Sequence, residues 1–272
     1  MLVQKYKDML AGKSVIRELS EFATARGQEI GYENVFDYSL GNPSVPVPQA
    51  FTDEMIHMLA NRETNELHGY SPSLGITSVR EAVAASLEKR FGLPYRKEHI
   101  FMASGAAGAL AHAFRLVTEP GDEILTFAPH FPEYGPYVNL TGAVLKVVPP
   151  DTESFQIHFG KFQEMLTEKV MAVLVNTPNN PSGVAYSAAT LQRLADLLRQ
   201  KSAEYGHAIY LISDEPYREI IFGGVDAPCV SAFYDDTIMC YSFSKSLSIP
   251  GERIGYVAVN PRCRDAETMV NR

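Results

Sequence analysis

The segment YSFSKSLSIPGERIGY, residues 241–256, contains a lysine and an arginine in an unusual setting. Lys245 lies between two serines just after an apolar run, and Arg253 follows eight residues later, after a Pro-Gly pair. Because Pro250 and Gly251 oppose a regular helix through 245–253, we predict that both side chains lie on a shaped loop. A lysine held in this way can form a covalent bond with a carbonyl group, although a lone lysine is more often a surface charge.

Two other loops could bind an anion and a planar ring. GAAGAL, residues 105–110, follows the apolar run IFMAS, and small residues at a helix N-terminus let backbone N–H groups approach an anion. APHFPEYG, residues 128–135, follows EILTF, and its Phe131 could stack on a flat ring. A tight turn and an ordinary aromatic residue in a Pro-rich loop are the structural alternatives.

Two further loops contribute polar side chains. In TPNNPSG, residues 177–183, prolines flank an Asn pair and restrict the backbone, so the turn could orient the amide of Asn180. Asp214 follows the apolar run AIYLIS, where a carboxylate is costly unless a cation or a donor meets it, and Tyr217 lies three residues further on. An ordinary turn and a helix N-cap are the alternatives here.

The elements that must position these loops alternate along the chain. Short apolar β-rich runs occur at 100–104, 123–127, 143–148, 171–176, 208–213, 237–242 and 254–259, and helical patterns occur at about 48–60, 75–91, 106–117 and 187–206. This alternation predicts an α/β fold with a mainly parallel sheet sandwiched by helices. Ligands bind outside the carboxyl ends of such strands, so we expect all of these loops to meet at one edge of the sheet.

Together the loops contain the groups that pyridoxal 5'-phosphate requires. Its phosphate needs N–H groups and an arginine, its aldehyde needs a lysine, and its phenolic oxygen needs hydrogen-bond donors. Its ring nitrogen needs a carboxylate, so that the ring can accept electrons. We therefore predict a site for this cofactor.

The composition limits the class of protein. A chain of 272 residues with 46% hydrophobic and 21% charged residues is typical of a globular protein with one large domain or two modest ones. A net charge of −8 argues against a nucleic acid or an anionic membrane as the partner. No apolar run is long enough to span a bilayer, and MLVQKYKDML has no signal-peptide core. Three cysteines without metal-like spacing favour a cytoplasmic protein and no metal site.

Five stretches in order resemble the class I/II aminotransferases of the fold-type-I pyridoxal-phosphate family. They are YSPSLGITSVREAVA, SGAAGAL, NTPNNPSG, SDEPY and SFSKSLSIPGERIGY, and the resemblance runs from about Leu40 to Val259. It implies an enzyme that moves an amino group from an L-amino acid to a 2-oxo acid and that forms a homodimer.

The resemblance also implies a role for individual residues. Lys245 would form the Schiff base with the cofactor and move the substrate proton, and Asp214 would keep the pyridine nitrogen protonated. Tyr217 and Asn180 would hydrogen-bond the phenolic oxygen, and Phe131 would stack on the ring. The other implied contacts are those of Ala106, Ala107, Ser242 and Arg253 with the phosphate, of Tyr70 with the phosphate of a second copy, and of Gly41 with the substrate carboxylate.

The resemblance carries an expectation about domains. In the family, chains continue well past the position of residue 272, and that part supplies the arginine that binds the substrate α-carboxylate. We therefore expect a fragment in which residues 1–45 belong to a small domain and residues 46–272 form the pyridoxal-phosphate-binding large domain, with the C-terminal part of the small domain absent. No residue of this sequence is assigned the role of that arginine.

Two alternatives use the same residues. A carbon–sulfur lyase on this scaffold would also need Lys245 and Asp214. A non-catalytic, aminotransferase-like binding module, such as half of a transcription regulator, would retain the fold without the reaction. No basic helix-turn-helix segment precedes the predicted domain, which argues against the module.

Overall fold

The computed structural model describes residue 7 and residues 15–270. The chain divides into two compact units, Met1–Val45 and Pro46–Arg272. The described part of the smaller unit contains helix α1 (Val15–Ile30) and a 3-10 turn at Tyr32–Asn34, followed by irregular chain.

The larger unit is built on a seven-stranded sheet with helices on both faces. Its strands are β1 (Ile100–Ser104), β2 (Glu123–Phe127), β3 (Val144–Val148), β4 (Val170–Asn176), β5 (Tyr210–Asp214), β6 (Thr237–Ser242) and β7 (Ile254–Val259). Its helices are α2 (Gln49–Asn61), α3 (Thr64–His68), α4 (Thr77–Phe91), α5 (Gly105–Val117), α6 (Tyr134–Asn139), α7 (Phe159–Met165), α8 (Ala188–Tyr205), α9 (Phe243–Ser246) and α10 (Ala266–Met269).

The sheet is mainly parallel, in the order β1-β7-β6-β5-β4-β2-β3. Strand β7 is antiparallel to both of its neighbours, β1 and β6, whereas the other neighbouring pairs are parallel. The predicted α/β fold is therefore confirmed. Four helices, α3, α6, α7 and α9, are absent from the sequence-based prediction, because elements of four to seven residues are too short to display a helical period.

Alternate residues of the central strands enter two different cores. Leu125, Val173 and Leu211 belong to the cluster that includes Leu194 of α8, on one face of the sheet. Their chain neighbours Ile124, Leu174 and Ile212 belong to the cluster that includes Phe114 of α5, on the other face. A third cluster joins α4 to β1, β6 and β7. The continuous apolar runs of the sequence thus reflect strands covered on both faces.

Helix α8 shows how the sequence sets the bounds of an element. The Ser187 hydroxyl accepts a hydrogen bond from the backbone N–H of Thr190 at 3.1 Å, which caps the start of the helix. Gly206, at φ 77°, ends it in the left-handed conformation that glycine adopts without a Cβ clash. Within the part of the chain that the structure describes, no helix is both long and apolar enough to cross a membrane.

Candidate active site

The carboxyl ends of the parallel strands bring the predicted loops to one edge of the sheet. Helix α5 begins directly after β1, Asn180 follows β4, Asp214 ends β5, and Lys245 follows β6. Because β7 is antiparallel, its first residue rather than its last lies at this edge, and Arg253 directly precedes that residue. Strand direction therefore explains how residues far apart in the sequence become neighbours.

Asp214 is a buried carboxylate with one oxygen bonded and the other unpaired. It points to the α5 side of the sheet, as Ile212 does two residues earlier. There its Oδ2 accepts a hydrogen bond of 2.6 Å from the hydroxyl of Tyr134, which is fully buried. Its Oδ1 is buried and has no hydrogen-bond partner among the described residues. Such an oxygen is costly unless a donor meets it.

Burial raises the pKa of Asp214 to about 7. The hydrogen bond from Tyr134 opposes this rise, whereas the nearby Glu215 adds to it. At neutral pH the carboxyl is therefore close to its midpoint of ionisation. A cationic donor at Oδ1 would favour the ionised form, because an opposite charge lowers the pKa of a carboxylic acid.

A pair of asparagines connects β4 to the end of β5. The Asn176 amide donates to the backbone carbonyl of Asp214 at 2.8 Å, and the Asn176 carbonyl accepts from the backbone N–H of Asn180 at 2.6 Å. Asn180 in turn hydrogen-bonds the side chain of Tyr217. That bond lowers the pKa of Tyr217, whereas burial, the larger influence, and the charge of Asp214 raise it. Asn176 thus links the backbone of Asn180 to the end of β5, while the role of the Asn180 amide stays a prediction.

Two glycines let Arg253 lie against the N-terminus of α5. A Cβ at Gly105, the first residue of α5, would lie 2.8 Å from Nη2 of Arg253. A Cβ at Gly255 on β7 would lie 2.7 Å from the backbone carbonyl carbon of Gly105 and 2.4 Å from the carbonyl oxygen of Tyr241. Only residues without side chains permit these approaches. The guanidinium and the first N–H groups of α5, those of Ala106 and Ala107 included, together could bind a phosphate.

Lys245 lies in α9, one turn of helix between β6 and the Pro-Gly break. The prediction that Lys245 lies on a loop is therefore wrong. The Pro-Gly pair begins only at Pro250, so one turn of helix can form before it. Lys245 is partly buried, and this burial lowers its pKa. Ser242 ends β6 and is buried.

Phe131 lies on the loop after β2, next to the tyrosine that contacts Asp214. Its ring meets the ring of Tyr134 edge to face, with 5.7 Å between centroids and 80° between planes. Phe131 itself is only partly buried. A partly buried aromatic ring packed beside Tyr134 could stack on a planar ligand.

Two predicted site residues belong to other parts of the chain than the strand-end segments described above. Tyr70 follows α3 in the larger unit, and its side chain is fully exposed. Gly41 belongs to the smaller unit. Their roles stay predictions.

Sequence reasoning missed Tyr134 and Asn176. Tyr134 is in the segment APHFPEYG, and its partner Asp214 lies 80 residues further along the chain, so no local pattern connects the two. Asn176 is the last residue of a buried apolar strand, a place where a polar side chain needs partners. The sequence therefore contained a signal for Asn176 but none for the contact of Tyr134 with Asp214.

The residues at this edge could hold pyridoxal phosphate. The unpaired Oδ1 of Asp214 is the acceptor that a protonated pyridine nitrogen needs. The guanidinium at the start of α5 is a suitable partner for a phosphate. Lys245 provides the primary amine, and Asn180 and Tyr217 provide donors for a phenolic oxygen.

Solved structures of aminotransferases are similar to this chain. An aminotransferase crystal structure from Eubacterium rectale superposes with a TM-score of 0.95 and 42% identity, and the match covers 100% of this chain and 68% of that one. The aspartate aminotransferase of Thermus thermophilus with maleate superposes with a TM-score of 0.85 and 26% identity, covering 100% of this chain and 67% of that one.

Sequence comparison leads to the same family. A probable aspartate/prephenate aminotransferase from Aquifex aeolicus is 31% identical over 242 residues, which are 86% of this chain and 59% of the relative. The chain thus spans 59% of the length of that relative. The sequence model of the family described as aminotransferase class I and II matches residues 33–272. The chain therefore belongs to the class I and II aminotransferases, a family that depends on pyridoxal phosphate.

Proposed function

We propose that this chain binds pyridoxal phosphate and acts in the transfer of an amino group from an L-amino acid to a 2-oxo acid. The observation that supports this most is the buried Asp214, which lies at the same sheet edge as Lys245 and Arg253 and whose Oδ1 has no partner among the residues that the structure describes. Relatives with the names of aminotransferases support the transfer reaction. These names do not favour the carbon–sulfur lyase or the non-catalytic module.

Different residues bind different parts of the cofactor in this proposal. Asp214 accepts from the ring nitrogen, Phe131 stacks on the ring, and Asn180 and Tyr217 donate to the phenolic oxygen. The N–H groups of Ala106 and Ala107 at the start of α5, with the side chains of Ser242 and Arg253, would bind the phosphate.

The chain's own contribution to the reaction is the placing and moving of a proton. Bound pyridoxal phosphate supplies an electron sink that acidifies the substrate Cα–H. The Lys245 amine would accept this proton from the substrate Cα and donate it again later in the reaction. Because burial lowers the pKa of Lys245, more of its amine is neutral and able to accept the proton than in a surface lysine. Asp214 stabilises the proton on the ring nitrogen, where positive charge favours electron withdrawal.

The test loads the protein with pyridoxal phosphate and offers a panel of L-amino acids with 2-oxoglutarate. We expect amino transfer with at least one amino acid, and borohydride reduction should attach the cofactor to the peptide that contains Lys245. Lys245→Ala should lose the label and at least roughly 100-fold in rate, since it lacks the proton-transfer group. The exposed Lys161→Ala is the matched control and should keep both. A label on another lysine would contradict the assignment.

We further propose a cytoplasmic homodimer in which Tyr70 binds the phosphate of the partner copy. A fully exposed tyrosine beside a helix supports a contact outside its own chain. The buried thiols of Cys229, Cys240 and Cys263, none of which forms a disulfide, support a reducing compartment. The split at residue 45 supports the division into a small-domain segment, 1–45, and a cofactor-binding domain, 46–272.

A further inference from the structure

Tyr134 donates a hydrogen bond to one carboxylate oxygen of Asp214, so the other oxygen can accept a hydrogen bond from a ligand. Both side chains are buried, and the hydroxyl of Tyr134 donates to Oδ2 at 2.6 Å. The other oxygen, Oδ1, has no partner among the described residues. A carboxylate with one oxygen held by a donor cannot rotate without breaking that bond, so the direction of Oδ1 depends on Tyr134.

The loop after β2 holds Tyr134 in place through its aromatic neighbours. The ring of Phe131 packs edge to face against Tyr134, and the ring of His130 stacks on it at 6.0 Å and 16°. Tyr134 is also the first residue of α6. One short segment therefore contains both the candidate ring platform, Phe131, and the donor that orients the carboxylate.

The hydrogen bond from Tyr134 has a second effect, which is to favour the ionised form of Asp214. Of the influences on the pKa of Asp214, burial and Glu215 raise it, and the Tyr134 hydrogen bond lowers it. The titratable groups that act electrostatically with Asp214 include Tyr134 and Tyr137 of α6, Glu215 and Tyr217 after β5, and Cys240 of β6. These groups are neutral or acidic, so none of them provides a positive charge that could replace the hydrogen bond.

We propose that Tyr134 is a positioning residue that acts through Asp214 on the ring nitrogen of the bound cofactor, a role that rests on the proposed function. Its hydroxyl holds Oδ2, directs Oδ1 toward the nitrogen and keeps the carboxylate ready to accept the N–H. Tyr134 itself contacts Asp214 and not the reacting atoms. Loss of the hydroxyl should therefore affect only ligands that have the ring nitrogen.

The test compares the binding of two ligands to Tyr134→Phe, which keeps the ring and removes the hydroxyl. The ligands are pyridoxal phosphate and its 1-deaza analogue, in which C–H replaces the ring nitrogen. We expect the affinity of the variant for pyridoxal phosphate to fall by about tenfold or more, as for a hydrogen bond to a charged group. Its affinity for the deaza analogue should stay within about twofold of wild type.

A matched control separates this effect from a general loss of a buried hydroxyl. Tyr234 is buried on the other face of the sheet and donates to the carbonyl of Ile209 at 2.9 Å, so Tyr234→Phe loses a comparable bond away from the site. It should keep wild-type affinity for both ligands.

Two results with the variant would overturn the inference alone. Equal losses for both ligands in Tyr134→Phe would show that the hydroxyl supports the pocket and not the ring nitrogen, and an unchanged affinity for both would show no role. In either case the wild-type protein would still bind pyridoxal phosphate, so the proposed function would stand. Wild-type protein that binds neither ligand would instead overturn the proposed function and this inference with it.

Discussion

Asp214 is a buried acid, and its ionisation near neutral pH depends on the groups that neighbour its carboxyl. Its pKa is raised from 3.8 to about 7, mainly by burial. The folded, cofactor-free chain therefore favours the protonated carboxyl. The stability contributed by this proton is full below about pH 4 and is lost as the pH rises through about 7.

This shift predicts a pH-dependent difference between the wild type and Asp214→Asn. Between about pH 5 and about pH 8, the free energy of unfolding of the cofactor-free wild type should fall by about 2 to 3 kcal/mol more than that of the variant. The amide does not titrate, so all other groups contribute equally to both proteins. Urea unfolding at several pH values measures the two slopes. Parallel slopes would show that Asp214 ionises normally in the folded chain.

At the scale of elements, the end of β5 directs consecutive side chains to opposite faces. Asp214 points toward α6, whereas Glu215 accepts from the Ser213 hydroxyl at 2.6 Å and pairs with Arg218. The Arg218 guanidinium also lies 4.7 Å from the ring centroid of Phe91, at the end of α4. The segment that contains Asp214 and Tyr217 is thus stabilised, on the face away from α6, by the buried ion pair of Glu215 and Arg218.

Removing one member of that pair should be costly. Arg218→Met leaves Glu215, which is fully buried, without its counter-charge, and we expect a loss of roughly 3 to 5 kcal/mol in the free energy of unfolding. The double variant Arg218→Met with Glu215→Gln removes both charges and should recover most of this loss. Urea unfolding of the two proteins tests this. A double variant no more stable than the single one would mean that the charge is not the cause.

Strand β7 sets the position of Arg253 through Gly255. In Gly255→Ala, the new methyl group would meet the backbone of Gly105 at 2.7 Å and the carbonyl of Tyr241 at 2.4 Å, so the start of α5 must shift. We expect weaker binding of pyridoxal phosphate by about tenfold or more, since a displacement of this size breaks hydrogen bonds to the phosphate. Titration with the cofactor measures this.

Gly135→Ala is the matched control for this prediction. Gly135 lies in α6, and a Cβ there would meet nothing within 4 Å. The substitution should leave the affinity for pyridoxal phosphate unchanged. A Gly255→Ala protein that binds the cofactor as tightly as this control would show that the close approach of β7 to α5 does not shape the phosphate site.

At the scale of the whole molecule, the proposal of a shared site has a complementation test. Tyr70→Phe and Lys245→Ala proteins are mixed, unfolded and refolded together. If Tyr70 serves the partner copy, half of the dimers are hybrids with one intact site each, so about a quarter of the wild-type activity should return. Activity no higher than the mean of the two parent proteins would place Tyr70 in its own site or in none.

Local patterns in the sequence determined much of this molecule. The strands at 237–242 and 254–259 lie where their apolar runs predict, and the segments at the strand ends contain Asp214, Asn180 and Lys245. Periodicity and turn residues act over a few positions, so they can be read from the chain directly. The resemblance then connected these loops to one family, which the comparisons confirmed.

Only the tertiary structure decided which groups meet. The direction of β7 determines whether Arg253 or the far end of that strand lies at the site edge, and apolar residues alone do not specify direction. The bond between Tyr134 and Asp214 joins residues 80 positions apart, through the packing of α6 on the sheet. Burial, which raises the pKa of one carboxyl and lowers that of one amine, likewise exists only after the layers have closed over them.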